Sequence, residues 1–338
     1  MFRIEECNFN CWYCYENHPQ GRMSRNTMTA VVNYVKTLIK NKSIHHLNLD
    51  WFGGEPLLYF DEVMYPLAKE IKQIWFENNM ALSGMITTNG LLINKDRCEK
   101  FQEISLNSFQ ITLDGDEQTH NRIRCDKNKN GSFQIIVDNI NLLSEYPNVS
   151  ILLRINYTEK TLLNINNIVN FFSEKAKNKI EIFFQQVWQD AQKKRISAKR
   201  NEQYFKDKGF RVNTYELNTS YHACYADVYQ QAVINFDGKV FKCTARDFNN
   251  TNPDGWLQED GNIQWDMPKL SKRFSKATFE NEHCTVCNLL PVCAGPCSQK
   301  MMEIPDDYDF KKICLQGGVI LSIEHKLNSF YQNLNQNQ

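Results

Sequence analysis

No stretch of this 338-residue chain approaches the ~20 consecutive apolar residues of a membrane-spanning helix. Nor does its start resemble a secretory signal, because Met1 is followed by Phe2-Arg3-Ile4-Glu5-Glu6 and not by an apolar run. The chain therefore reads as cytoplasmic, with no membrane partner. Net charge is missing too. With 39 basic and 39 acidic residues there is no electrostatic footprint for nucleic acid or an anionic surface. The local patch Lys193-Lys194-Arg195 with Lys199-Arg200 reads as a solvated face. No internal repeat is visible.

What the chain does have is cysteine, twelve in all. Cytosolic thiols are kept reduced, so grouped cysteines there are more often metal ligands than disulfides. Ten of the twelve are grouped, at 7, 11, 14, 224, 243, 284, 287, 293, 297 and 314. Cys98 and Cys125 stand apart and read as small buried hydrophobes. The adjacent His45-His46 precedes a strand and reads as capping or solvated rather than ligating.

The first ~190 residues alternate strand and helix signals. Short apolar runs occur at Phe2 to Glu5, Leu47 to Phe52, Met85 to Thr88, Phe109 to Leu113, Ile151 to Ile155 and Ile180 to Phe184. Between them lie helical patterns, such as Val31, Tyr34, Val35, Leu38 and Ile39 with Ser24 or Asn26 available as cap. Others run from Val63 to Trp75 after Asp61, and from Phe133 to Leu143 after Ser132. Six such units predict an α/β fold with a parallel sheet curved into a partial (β/α)6 barrel. Functional residues of such folds sit at the carboxyl ends of the strands. There the motifs fall: the three-cysteine loop after the first strand, Gly53-Gly54-Glu55-Pro56 after the second, Thr88-Asn89-Gly90 after the third and Asp114-Gly115-Asp116 after the fourth.

Expected organisation is a core over 1–190, a charged, Asn-rich linker or lid over 191–221, a cysteine-rich domain over 222–318, and an apolar helix with a tail over 319–338. Arg154, a charge within the apolar fifth run, needs a partner or faces the site.

Cys7-x3-Cys11-x2-Cys14, with Tyr13 before the last cysteine, offers three thiolates from one short loop. Three ligands leave one iron of a 4Fe-4S cluster open to a small molecule, although three thiols also suit a zinc loop. The spacing resembles the radical S-adenosylmethionine (SAM) superfamily. That resemblance implies a cluster on Cys7, Cys11 and Cys14, with SAM bound at Tyr13, Gly53, Gly54, Glu55, Thr112 and Arg124. Glu55 would accept from the SAM ammonium, Thr112 would meet the ribose, and Arg124 would pair with the carboxylate in a planar fork, with Arg122 its near rival.

The later spacing, Cys224-x13-Gly238-x4-Cys243, then Cys284-x2-Cys287-x5-Cys293-x3-Cys297 and Cys314, resembles the SPASM extension of peptide-modifying radical SAM enzymes. It implies two auxiliary 4Fe-4S clusters, three in all. Cys284, Cys287, Cys293 and Cys314 would close the distal one, and Cys224, Cys243 and Cys297 the nearer, leaving an open iron or a fourth ligand such as Asp227. Position 230, where some relatives supply a cysteine, is Gln230. Two zinc sites, completed by His222 or His283, are the competing reading.

The family implies a maturase that cleaves SAM to a 5'-deoxyadenosyl radical and oxidatively crosslinks a ribosomally made peptide through a thioether or carbon-carbon bond. Its partners would be that peptide or protein, an electron donor such as flavodoxin or ferredoxin, and, since no leader-binding domain precedes Cys7, a separate leader-recognition protein unless the segment Asp190 to Tyr221 reads the peptide. The rival reading is an anaerobic sulfatase-maturing (formylglycine-generating) enzyme, and a non-catalytic iron-sulfur scaffold or redox sensor is a third. In sulfatase maturases an aspartate base follows the second SPASM cysteine, whereas here Thr244 follows Cys243. Asp190 and Asp247 remain as base candidates, or as turn and cap residues.

Overall fold

The computed structural model describes residues 1–41, 46–126, 128–191, 194, 196–213, 224–275, 282–288, 290–293, 295–304 and 314. His45, His222 and the expected C-terminal helix lie outside the described residues. One sheet of eleven described strands organises them: β1 (Phe2–Ile4), β2 (Trp51–Gly53), β3 (Met85–Thr88), β4 (Ser108–Leu113), β5 (Ser150–Tyr157), β6 (Ile180–Gln186), β7 (Arg211–Asn213), β8 (Val233–Asn235), β9 (Lys239–Phe241), β10 (Gly255–Leu257) and β11 (Ile263–Trp265). Their order is β11-β10-β9-β8-β1-β2-β3-β4-β5-β6-β7. From β1 to β7 every neighbouring pair is parallel, and β8 joins the other side of β1 in parallel before an antiparallel run to β11. The order does not close on itself, as a partial barrel requires.

Crossover helices supply the second layer. Helix α1 (Arg25–Lys40) starts at Ser24, whose side chain accepts from the Thr27 amide, and buries Met28, Val31, Val32 and Val35. Its apolar residues recur at helical spacing, so one face meets the sheet. Helix α2 (Tyr65–Glu77) buries Leu67, Ile71 and Trp75. Helices α3 (Lys95–Glu103), α4 (Glu117–Ile123) and α5 (Phe133–Ser144) follow, with Asn94 and Asp116 capping the first two. Cys98 is fully buried in α3, as a core residue. Helix α6 (Glu174–Lys179) and the short α7 (Trp188–Ala191) flank β6.

The stretch expected as a linker or lid contains α8 (Lys199–Asp207) and β7, a seventh parallel strand. Charge hides this element in the sequence, since two aromatics anchor it. Phe205 is fully buried, with its ring centroid 5.7 Å from Phe184 and 5.5 Å from Phe210. A further helix, α9 (Met267–Ser275), belongs to the C-terminal half. No helix among the described residues is long and apolar enough to cross a membrane.

Candidate functional site

The loops at the carboxyl ends of the parallel strands enclose a cavity of about 310 Å³. Cys7, Cys11 and Cys14 line it from the loop after β1, Gly53 and Gly54 from the end of β2, and Thr112 from β4. Arg124, Arg154 and Asn156 complete a polar wall, and Thr244 and Ala245 enter from the segment after β9. Residues far apart in sequence meet because every parallel strand delivers its carboxyl end to the same edge.

Gly53 and Gly54 have a steric reason to be glycine. Gly53 has φ +122°, and a Cβ there would stand 2.0 Å from the Ile4 carbonyl oxygen. At Gly54 it would stand 2.3 Å from the Glu6 carbonyl oxygen. The close approach they permit is to the chain's own first strand, and it brings the second motif against the cysteine loop. Glu55 is fully buried, and its carboxylate accepts from the Leu57 amide (2.9 Å), the Thr88 hydroxyl (2.7 Å) and the Asn89 amide (2.7 Å). It thereby ties the loops after β2 and β3 together.

Burial pushes the Cys7 thiol up to about 12 and raises Cys11 and Cys14 as well. Such thiols keep their protons until a cation stabilises the thiolate. The Cys14 Sγ lies 3.2 Å from Nε2 of His18, whose Nδ1 is 2.9 Å from the Glu5 carbonyl. Glu16 also lines the cavity, and burial raises its carboxyl above the ordinary range. Only its place two residues after Cys14 could have signalled it in the sequence.

Arg124 sits where the sequence put it, on the cavity wall, but in company no motif announced. Its Nε donates to Asp114 Oδ2 (2.7 Å) and its Nη2 to the Tyr13 hydroxyl (2.6 Å). Tyr13 in turn donates to the same Asp114 oxygen (2.5 Å) and accepts from Asn156 (3.1 Å). Beneath them lies His120, fully buried, with Nδ1 accepting from the Asp114 amide (3.2 Å). The Ser132 hydroxyl donates to the Arg124 carbonyl (2.6 Å), so His120 Nε2–H donates to Ser132 (3.0 Å). Burial holds His120 well below the ordinary imidazole range, and the Arg124 charge adds to this. The neutral ring thus bridges the backbones of both members of the ion pair.

In the second half, Cys243 and Cys297 lie within electrostatic reach of Cys224, and Cys297 within reach of Cys243. Tyr225 Oη is 3.9 Å from Cys243 Sγ and 2.7 Å from Thr244 Oγ1. Arg246 bears on Cys243 and Cys297 and pairs with Glu303 (2.6 Å). The loop around Gln230 is held by Lys242, whose ammonium donates to the carbonyls of Val228 (2.7 Å), Tyr229 (3.1 Å) and Gln231 (2.6 Å). Asp227 ends the single turn that follows Cys224. Cys284 is buried, and Cys287, Cys293 and Cys314 are half-buried.

Asp190 and Asp247 do not line the cavity. Asp190 lies in α7, with one buried carboxylate oxygen unpartnered among the described residues. Asp247 accepts from the side-chain amides of Asn17, Asn249 and Asn250, the pattern of a turn residue. Arg122 is in the last turn of α4 and is not among the cavity residues.

Among the described residues no group of three His, Cys, Asp or Glu side chains is arranged to hold one metal ion. A four-iron cube binds its thiolates through separate irons, a wider arrangement, and three half-buried thiols around one cavity suit it.

The description of the radical SAM superfamily matches residues 1–167. A cysteine-type anaerobic sulfatase-maturating enzyme of Clostridium novyi is 31% identical over 175 residues, 50% of this chain and 45% of that protein. The chain thus spans less than half of that relative. Native anSMEcpe, solved with bound AdoMet and Cp18Cys peptide, superposes with a TM-score of 0.72 at 18% identity, over 100% of this chain and 99% of that one. Streptococcus suis SuiB, bound to the precursor peptide SuiA, does so with 0.63 at 19% identity, over 93% and 75%. At such identities these two likenesses are of fold. Residues 1–167, which carry the cysteine loop and the strands around it, thus match the radical SAM superfamily.

Proposed function

We propose that this protein is a radical SAM maturase that oxidatively modifies a ribosomally made peptide, forming a thioether or carbon-carbon crosslink. The observation that carries the reading is the shared cavity: the three thiols, Gly53-Gly54, Thr112 and Arg124 face residues of the second cysteine-bearing segment across one space. When bound, the reduced cluster supplies the electron that cleaves SAM to a 5'-deoxyadenosyl radical.

The chain's own groups then have definable tasks. Cys7, Cys11 and Cys14 hold the first cluster, and the backbone of Gly53 and Gly54 bounds the methionine end of SAM. Arg124 keeps N–H groups beyond those given to Asp114 and Tyr13, and these meet the SAM carboxylate. Thr112 contacts the ribose. Cys224, Cys243 and Cys297 would hold a near auxiliary cluster, and Cys284, Cys287, Cys293 and Cys314 a distal one, three clusters in all with the first. The two auxiliary ones would supply the acceptor for the electron that an oxidative crosslink releases. The peptide-bound solved structures of similar fold support a peptide substrate. A flavodoxin or ferredoxin would supply the electron for SAM.

Sulfatase maturation is the second reading, favoured by the 31% identity to a cysteine-type sulfatase-maturating enzyme. Against it stands Thr244, whose hydroxyl is engaged by Tyr225 and is no carboxylate base. The test is anaerobic incubation with dithionite and SAM, alone and with either a sulfatase-type Cys or Ser peptide or candidate short peptides encoded beside the gene. Release of 5'-deoxyadenosine with a two-hydrogen mass loss in a crosslinked peptide supports the proposal. Formylglycine would establish the second reading, and no 5'-deoxyadenosine at all would leave a cluster scaffold.

A further inference from the structure

Between the first cysteine loop and the segment after Cys243 runs a polar seam that neither cysteine motif contains. Arg3, fully buried on β1, donates from Nη1 to the Arg246 carbonyl (2.9 Å) and pairs through Nη2 with Glu16 (3.3 Å). Its guanidinium lies 3.7 Å over the Phe248 ring. The Tyr15 hydroxyl donates to the Thr244 carbonyl (3.1 Å), Asn17 Nδ2 to Asp247 Oδ2 (2.5 Å), and Asn249 Nδ2 to Glu5 Oε2 (3.0 Å). Each of these crossings joins residues 3–17 to residues 244–249, more than 225 positions later in the chain.

We infer that Arg3 is a positioning residue that locks the Cys7-Cys11-Cys14 loop to the Cys243 loop, so that the two sulfur-bearing loops form one rigid unit. The inference rests on reading both loops as cluster-bearing, as proposed above. Arg3 reaches both loops through one guanidinium: Glu16 is two residues past Cys14, and Arg246 three past Cys243. A planar guanidinium serves this purpose as an ammonium cannot, because it donates in fixed directions while its face stacks on an aromatic ring. Spacing between the loops would set where SAM lies relative to the auxiliary site.

Hydrogen-deuterium exchange on the anaerobically reconstituted protein tests this, with wild type, Arg3→Met, Arg3→Lys and the milder Tyr15→Phe compared. Iron and sulfide would be measured on the same samples. In Arg3→Met, amides of 5–17 and of 244–249 should exchange together about tenfold faster, while α2 and α5 stay unchanged. The SAM concentration that half-saturates the change in the reduced cluster's EPR signal should rise several-fold, with partial recovery in Arg3→Lys. Tyr15→Phe should show the same paired loosening on a smaller scale, and it decides the matter if Arg3→Met does not fold. Loosening of one loop without the other, or paired loosening with a wild-type EPR response to SAM, would overturn the inference. Paired loosening in protein with only about four irons per chain would remove the auxiliary-cluster reading and still support the seam.

Discussion

Asp114 and Arg124 form a buried ion pair, Nε to Oδ2 at 2.7 Å, in which the aspartate side chain is 1% and the arginine side chain 10% exposed. The Tyr13 hydroxyl touches both partners, so the loop that carries Cys11 and Cys14 is tied to the end of β4 through one carboxylate.

Removing the carboxylate leaves a desolvated guanidinium without its counter-charge. Asp114→Asn should therefore lower stability by about 3–5 kcal/mol, measured by urea denaturation of the cluster-free protein. A loss below about 1 kcal/mol would mean that water reaches the pair and screens it.

Arg124→Met should act on SAM rather than on iron. Loss of charge-assisted hydrogen bonds to the carboxylate corresponds to about 1.5–3 kcal/mol, or roughly 10- to 150-fold weaker SAM binding, at unchanged iron content. Equilibrium dialysis of SAM on the reconstituted protein measures it. Unchanged affinity would assign the carboxylate to another residue, with Arg154, also on the cavity wall, next in line.

His120 gives a pH dependence of definite sign. Its folded pKa is depressed by burial, so between the unfolded value of ~6.5 and the folded one the unfolded chain binds the extra proton. Its contribution is present above ~6.5 and lost as pH falls, with a slope of up to about 1.4 kcal/mol per pH unit. In His120→Gln the stability of cluster-free protein should fall less steeply from pH 7 to 5 than in wild type. The difference between the two curves cancels the opposing carboxyls Glu16 and Glu55, whose pKa values burial raises. Parallel curves would show that the ring takes up its proton equally in the folded and the unfolded chain.

Iron and acid-labile sulfide test the cluster assignment. Reconstituted wild type should bind about twelve irons per chain, and the Cys7→Ala/Cys11→Ala/Cys14→Ala variant about eight. About four irons in wild type, abolished by the triple change and accompanied by zinc, would overturn the auxiliary clusters.

Much of the core was legible because its signals are local. The parallel strands up to β6 coincide with the short apolar runs, and α1, α2 and α5 with the helical spacing of Val31, Leu67 and Ile136. Ser24 caps α1, whereas Ser132 precedes α5 without a side-chain cap bond. Helix α8 and β7 escaped notice because one buried aromatic, Phe205, holds a helix whose other faces are charged. At Glu55 the residue was legible but its contacts were not, since Thr88 and Asn89 reach it only through strand pairing.

The sequence by itself determined the cysteine loop, the glycine motif and the family they resemble, because Cys7, Cys11 and Cys14 share a few residues of chain and their spacing is nearly a geometry. Only the tertiary structure decided that Asp114 and His120 stand behind Arg124, and that Arg3 reaches Arg246. Those contacts depend on which strands lie side by side, and β1 between β2 and β8 joins segments that no local periodicity relates.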